Sequence, residues 1–257
     1  MRLVRAILLV VVILAIAIGS GLFGAAVGRH YETNELCCLV PPSRNVRLSL
    51  RETLGLVTFA SQIGQDKWVS ETVFPGVTDG YFIDVGSGDG IDSSNTLILE
   101  RKGWKGICVD PFPSNMQQRT CQMFKEVVFS EAGRTVTFHK AAGLGGIDET
   151  LGRHRALAEQ APAVTFTTVT IGDILDRAKA PSFIQFMSMD IEGAELEALR
   201  GVPWDRYRFG AFAIEHNYEG QKRDAIEALL KQHGYRRVHT WRQDDFYVAA
   251  DAASSSR

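Results

Sequence analysis

The stretch that decides the fold is GYFIDVGSGDGIDSSNTLILERKGWKGICVDPFP, residues 80–113. It opens with an apolar run at residues 81–85 and continues into three closely spaced glycines, Gly86, Gly88 and Gly90. Because glycine has no Cβ, its backbone can approach a ligand more closely than that of other residues. The pattern therefore predicts a buried strand, a ligand-binding turn and the start of a helix.

Two carboxylates flank this turn. Asp110 ends the next apolar run, where nucleotide-binding βαβ units place an acid against ribose hydroxyls. Asp84 lies two residues before the first glycine, where its charge would repel a pyrophosphate but attract the cationic groups of S-adenosylmethionine. The spacing is also G-x-G-x-G, not the G-x-G-x-x-G of hydride-transfer enzymes. We therefore expect S-adenosylmethionine as the cofactor, and a nucleotide-dependent oxidoreductase is the less favoured alternative.

Strand-like and helix-like patterns alternate through the rest of the chain. Further strands are predicted at residues 106–109, 126–129, 135–139, 166–169, 183–189, 209–214 and 246–249, and helices at 171–178, 194–199 and 224–232. Four acids stand at predicted strand ends: Asp84, Asp110, Asp190 and Glu215. The pattern predicts an α/β fold with a doubly wound, mostly parallel, Rossmann-like sheet, which binds ligands beyond the carboxyl ends of its strands.

Three blocks of sequence carry a resemblance to a known family: residues 80–113, SMDIEGAELEALRG at 188–201 and AIEHN at 213–217. They resemble the FkbM family of S-adenosylmethionine-dependent methyltransferases, and the D-x-E-G-A-E block is specific for it. The resemblance implies a class I methyltransferase fold and O-methylation of a hydroxyl on a sugar, glycan or natural-product-like acceptor. Many members have lysine where Ser188 stands and glutamate where Asp110 stands.

The motifs assign two overlapping sets of site residues. We expect the cofactor to contact Asp84, Gly86, Ser87, Gly88, Asn95, Asp110, Pro111, Ser130 and Asp190. The candidate catalytic residues are Asp190, Glu192, Glu215 and His216. His216 has the intrinsic pKa best suited to a base, although a structural role is equally open, and Glu195 is interpreted as structural. A divalent cation on Asp190 and Glu215, with Asn217 close by, is an alternative to the metal-free site that we favour.

The N-terminus predicts a membrane anchor. Residues 6–28 contain no charge, and as a helix they would span roughly 34 Å, enough for a hydrocarbon core of about 30 Å. We interpret the chain as a basic end at 1–5, a single transmembrane helix at 6–28, a linker at 29–48, a methyltransferase domain at 49–250 and a tail at 251–257 predicted to be disordered. A cleaved signal peptide is the alternative. Basic residues flank both ends of the apolar segment, so the side of the membrane that carries the domain stays open.

Charge and cysteine content restrict the partners. Residues 30–257 carry 25 Lys or Arg against 30 Asp or Glu, so a nucleic acid partner is not expected. The four cysteines lack metal-ligand spacing, and Cys108 is interpreted as a small buried hydrophobic residue. The expected partners are a small-molecule or glycan acceptor and the membrane, through residues 6–28. The oligomeric state is not readable from the sequence.

A second hypothesis for the whole chain is a membrane-tethered interaction protein that keeps the methyltransferase fold but has lost catalysis. The complete set of cofactor residues, including Asp84, Gly88 and Asp110, disfavours it.

The anchor gives a first testable expectation. Because residues 6–28 are long and uncharged, the full-length protein should stay with membranes after carbonate extraction, whereas a chain starting near Glu35 should be released. Recovery of a mature chain that begins near Arg29 would instead demonstrate a cleaved signal peptide.

Overall fold

The computed structural model describes residues 59–250. The predicted transmembrane segment at 6–28, the linker at 29–48 and the tail at 251–257 lie outside these residues. Between residues 59 and 250, no helix has both the length and the apolar character needed to cross a membrane. Membrane anchoring therefore stays a prediction from the sequence.

A seven-stranded sheet forms the centre of the described chain. Its strands are β1 (Tyr81–Val85), β2 (Lys105–Val109), β3 (Gln122–Phe124), β7 (Phe183–Met189), β8 (Arg208–Glu215), β9 (Tyr235–Trp241) and β10 (Asp244–Ala249). They are arranged in the order β3-β2-β1-β7-β8-β10-β9. Neighbours from β3 to β8 are parallel, and β10 is antiparallel to both β8 and β9. The predicted mixed α/β fold with a mostly parallel sheet is confirmed.

A smaller three-stranded sheet stands beside the main one. It contains β4 (Val127–Val128), β5 (Thr135–His139) and β6 (Ala163–Val169), in the order β4-β6-β5. β4 is parallel to β6, and β5 is antiparallel to it. In chain order, the three strands of this sheet come between β3 and β7 of the main sheet.

The helices cover both faces of the main sheet. They are α1 (Gln65–Lys67, continued by a π-helical turn at Trp68–Val73), α2 (Leu97–Arg101), α3 (Arg155–Ala158), α4 (Ile171–Ala178), α5 (Glu195–Arg200) and α6 (Gly220–Gln232). As predicted, Thr170 caps α4: its hydroxyl accepts from the Asp173 amide at 3.0 Å, and the Asp173 carboxylate accepts from the Thr170 amide at 2.8 Å.

Buried apolar side chains form one large cluster on each face of the sheet. Successive side chains of a strand point to opposite faces, so Ile83 and Phe82 of β1 belong to different clusters. The Ile83 cluster takes apolar residues from α4, α5 and α6, and the Phe82 cluster takes them from the π-helical turn and α2. This double covering leaves the carboxyl ends of the parallel strands as the place for a site.

The structure corrects the predicted elements at the two edges of the sheet. Strands β3 and β9 were not predicted, and the strand expected at 126–129 is reduced to Val127–Val128 in the smaller sheet. Only the first residue of β9 is buried, so this edge strand lacks the apolar alternation that identifies a strand from sequence. The β9–β10 pair also makes this edge antiparallel.

The interpretation of Cys108 as a mere hydrophobic residue was wrong. Cys108 in β2 forms a disulfide with Cys121, which immediately precedes β3. The pairing of β2 with β3 brings the two cysteines together, and no local pattern in the sequence indicates that pairing. The bond closes the loop that contains Asp110 and the residues following it.

The disulfide predicts a measurable loss of stability on its removal. The double variant Cys108→Ser/Cys121→Ser should lower the free energy of unfolding by about 2–3 kcal/mol, because a loop of this length loses much of its freedom in the unfolded chain when it is closed. Urea unfolding of both proteins under oxidising conditions measures the difference. The matched control is Cys37→Ser/Cys38→Ser, which replaces the other two cysteines of the sequence, both outside the described residues. An equal loss in both double variants would contradict the prediction.

Candidate active site

The glycine turn after β1 packs directly on the carboxyl end of β7. Gly86 has a φ of +89°, and a Cβ added there would lie 1.7 Å from the backbone oxygen of Asp190. The Gly86 amide donates to the Val109 oxygen at 2.8 Å, which ties the turn to β2 as well. A Cβ on Gly88, in contrast, would meet no atom within 4 Å. The turn is therefore fixed at Gly86 and open on the side of Gly88, as a ligand cradle requires.

Asp110, which directly follows β2, is hydrogen-bonded to the middle of this turn. One of its carboxylate oxygens accepts from the Gly88 amide at 2.9 Å and the other from the Phe112 amide at 2.7 Å. Burial raises the pKa of Asp110, and these two hydrogen bonds oppose the rise. The predicted register of Asp110 with the glycine turn is present in the structure.

Asp84 lies beneath the turn and is 4% exposed. Its carboxylate accepts from the Thr96 hydroxyl at 2.6 Å. Burial raises the pKa of Asp84 to about 6, and the positive charge of Arg119 is the largest influence that opposes burial. Sequence reasoning missed both Thr96 and Arg119, because neither stands in a recognisable motif.

Two other predicted cofactor residues carry polar atoms without partners among the described residues. The Ser87 hydroxyl is buried and unpaired, and Ser87 as a whole is 8% exposed. Asn95 donates to the Ser188 hydroxyl at 2.8 Å, while its side-chain oxygen has no partner. Buried polar groups are normally hydrogen-bonded, so these atoms indicate a place for a polar ligand. Ser130, the remaining predicted serine, is half-buried just beyond β4.

A small apolar cleft opens beside the turn. Gly86 and the predicted residue Pro111 form part of its wall, and Phe138, Ile147 and Ile191 form another part. The wall of the cleft therefore combines residues of the main sheet, of β5 and of the segment between β5 and β6.

Three of the predicted catalytic carboxylates come together at the ends of β7 and β8. Oxygen atoms of Asp190, Glu192 and Glu215 lie within 4.8 Å of one another. The side-chain amide of Asn217 donates to Glu215 at 2.6 Å and to Glu192 at 3.1 Å. Glu192 has a φ of +56°, a strained conformation for a residue with a side chain, of the kind that persists at functional sites. The sequence predicted the strand ends, and their parallel pairing places the acids together.

The proximity of these acids favours their neutral forms. Burial, followed by the charges of Asp190 and Glu195, raises the pKa of Glu192 to about 9. Burial also raises the pKa of Asp190 and of Glu215, and these two side chains are hydrogen-bonded to each other. Two carboxyl groups in such contact share a proton, because both cannot be ionised at low cost.

Glu195 has the structural role assigned to it from the sequence. It is 2% exposed, and one carboxylate oxygen accepts from the Ile191 amide at 3.1 Å and from the Gly193 amide at 3.0 Å. These bonds hold the turn that carries Glu192.

His216 faces different neighbours from those expected of the catalytic base. Its Nδ1 accepts from the Tyr218 amide at 3.0 Å, and its Nε2 lies 3.8 Å from an Asp245 oxygen. Burial lowers the pKa of His216, and the charges acting on it come from Asp245, Arg223 and Arg237. His216 therefore lies beside Asp245, whereas Asp190, Glu192 and Glu215 lie together at the ends of β7 and β8.

Sequence reasoning also missed a second histidine near the acids. His154 is half-buried at the start of α3. Burial, followed by the positive charge of Arg153, lowers the pKa of His154, and the negative charges of Glu219 and Asp190 oppose this lowering. It lies in the segment between β5 and β6, and a histidine in an irregular segment gives no signal of its position relative to a sheet.

One known protein family matches most of the described residues. The model of the methyltransferase FkbM domain matches residues 84–237, which is more than half of the chain. The chain belongs to the FkbM methyltransferase family. Among solved structures, human methyltransferase 10 domain containing protein matches with 13% sequence identity and a TM-score of 0.36, over 81% of this chain and 86% of that chain. No curated protein matches.

The acid cluster of this FkbM domain predicts a pH-dependent stability. Glu192 has an ordinary pKa of 4.5 when unfolded and about 9 when folded, so the folded state loses stability as pH rises through this window. Glu192→Gln should remove that loss and make the protein more stable than the parent at pH 8 but not at pH 4.5. Each pKa unit of difference is worth about 1.4 kcal/mol.

Urea unfolding at the two pH values measures the effect. Glu159→Gln, which removes a carboxylate from an exposed pair with Arg155, is the matched control. The pKa assignment would be refuted if the free energy of unfolding of the parent, compared with that of Glu192→Gln, did not fall between pH 5 and pH 8.

Proposed function

We propose that the protein is an S-adenosylmethionine-dependent O-methyltransferase that modifies a hydroxyl group of a small-molecule or glycan acceptor. One observation carries the proposal. The glycine turn, hydrogen-bonded to Asp110 and lying above Asp84, packs against the end of β7, where Asp190 and Glu192 cluster with Glu215 from the end of β8. A site for a cationic nucleotide-like ligand and a site for proton transfer thus share one edge of the sheet.

The residues at the turn fit S-adenosylmethionine. The open space over Gly88 admits a ligand, the buried Ser87 hydroxyl lacks a partner, and Asp84 and Asp110 supply carboxylates. Asp110 is suited to ribose hydroxyls, and Asp84 to the positive charge of the donor. Asn95, Pro111 and Asp190 lie around the same turn and complete the proposed contacts.

When bound, S-adenosylmethionine supplies a methyl group attached to a cationic sulfur. The protein holds the acceptor, excludes water and takes the proton from the acceptor hydroxyl. Burial raises the pKa of both Asp190 and Glu215, so this pair is the proton acceptor that we propose for the hydroxyl. Glu192, with a pKa of about 9, is neutral near pH 7 and can donate a hydrogen bond to the acceptor.

A divalent cation at the same acids is the alternative to this metal-free mechanism. Asp190, Glu192 and Glu215 provide the oxygen ligands that Mg²⁺ prefers. We favour the metal-free site, because Asn217 donates to Glu192 and Glu215 and the Asp190–Glu215 hydrogen bond already lowers the repulsion among the acids.

Binding measurements test the cofactor assignment. Titration calorimetry should show binding of S-adenosylmethionine and of its demethylated product, and no binding of NAD. Asp110→Ala should weaken binding by about 1.5–3 kcal/mol through loss of charge-assisted hydrogen bonds. Gly88→Val should weaken it more, because its side chain would occupy the open space over the turn.

The matched control is Glu131→Ala, an exposed residue beyond β4. Unchanged affinity in folded Asp110→Ala would reject its assignment. Normal affinity for the cofactor without methyl transfer to any hydroxyl acceptor would favour the alternative, an inactive interaction protein.

Chelation tests the metal. We expect full methyl transfer after exhaustive treatment with a chelator, since the acid cluster can move a proton by itself. Activity that is lost in chelator, restored by Mg²⁺ and abolished in Asp190→Asn would establish the cation instead.

A further inference from the structure

A buried arginine, Arg119, connects the glycine turn to the residues that follow it and to α2. The Arg119 side chain is fully buried and pairs with Glu100 of α2 at 3.0 Å. The same guanidinium donates to the Gly90 oxygen at 2.8 Å, to the Ser94 hydroxyl at 3.2 Å and to the Thr96 hydroxyl at 2.7 Å. The planar fork of arginine suits it to satisfy several acceptors at once.

A chain of hydrogen bonds runs from Arg119 through Thr96 to the carboxylate of Asp84. Thr96 accepts from Arg119 and donates to Asp84 at 2.6 Å, so its hydroxyl is oriented by the arginine. A buried carboxylate is costly to ionise unless a positive charge or hydrogen bonds support it. Arg119 supplies both, the charge directly and the hydrogen bond through Thr96.

The loop that carries Arg119 is itself anchored. The Cys108–Cys121 disulfide joins the loop's two ends, and Glu100 accepts from the Thr120 amide at 2.9 Å and from the Cys121 amide at 3.0 Å. Glu100 thus fixes the position of Arg119 through both backbone and side chain.

We propose that Arg119 is a positioning residue of the cofactor site, which fixes the glycine turn and, through Thr96, keeps Asp84 ionised for a cationic ligand. The inference rests on the proposed function for the identity of that ligand. Its electrostatic part concerns the ligand-free protein and is independent of it.

The groups that face Asp84 come from several elements. Arg119 favours its ionised form, as does the hydrogen bond from Thr96, whereas burial, Asp190 at the end of β7 and Glu100 on α2 favour its neutral form. Glu100 and Arg119 therefore act on Asp84 in opposite directions although they form one ion pair. A purely structural role of the pair would not produce opposite effects.

The test measures the titration of Asp84 in the ligand-free full-length chain by NMR of ¹³Cγ-labelled aspartate, with Asp84→Asn identifying the signal. The midpoint should lie at about 6 in the parent. Arg119→Met should raise it by about one pH unit or more, Glu100→Gln should lower it, and Arg119→Lys should restore it towards the parent value. Arg101→Met, an exposed arginine on α2, is the matched control.

The affinity of each variant for S-adenosylmethionine should depend on the titration midpoint of its Asp84. At pH values below that midpoint, the affinity should fall up to tenfold for each pH unit. Unshifted midpoints, or midpoints shifted in the same direction by Arg119→Met and Glu100→Gln, would overturn the inference. If Arg119→Met does not fold, Glu100→Gln and Arg119→Lys decide it. A parent that shows the expected midpoints but binds no S-adenosylmethionine at any pH would refute the proposed function and leave the charge relation between Arg119 and Asp84 intact.

Discussion

The close contact between Gly86 and the Asp190 backbone is the constraint on which the site depends. A Cβ at Gly86 would lie 1.7 Å from the Asp190 oxygen, so only glycine allows the turn after β1 to reach the end of β7. The Asp190 amide completes the junction by donating to the Val85 oxygen at 2.9 Å. The cofactor turn and the acid cluster are consequently parts of one rigid junction between adjacent parallel strands.

Electrostatic balance within this junction divides the acids into two kinds. Asp84 and Asp110 receive hydrogen bonds from Thr96 and from backbone amides, and Asp84 is further supported by the charge of Arg119. Glu192 and Glu215 are buried and face other carboxylates and one amide side chain. Burial raises their pKa values, and the neighbouring negative charges raise them further. In the function that we propose, the same type of side chain would therefore hold a cation on one side of the site and move a proton on the other.

The sequence predicted the central part of the fold well. The boundaries of β1, β5, β7 and α4 agree with the predicted ranges, because apolar runs and a capping threonine mark them locally. It failed for β3 and β9, since these edge strands bury few side chains and depend on pairing with β2 and β10. The FkbM assignment succeeded because it rested on motifs in contiguous stretches of chain.

The sequence by itself determined that a glycine turn, a following acid and a D-x-E-G-A-E block occur in this order, and hence the family. Only the tertiary structure decided which side chains meet. It joined Cys108 to Cys121, placed Arg119 within reach of Thr96 and set His216 against Asp245. The physical reason is that motifs record what a backbone turn requires locally, whereas the charge and pairing of a buried group depend on neighbours that are distant along the chain.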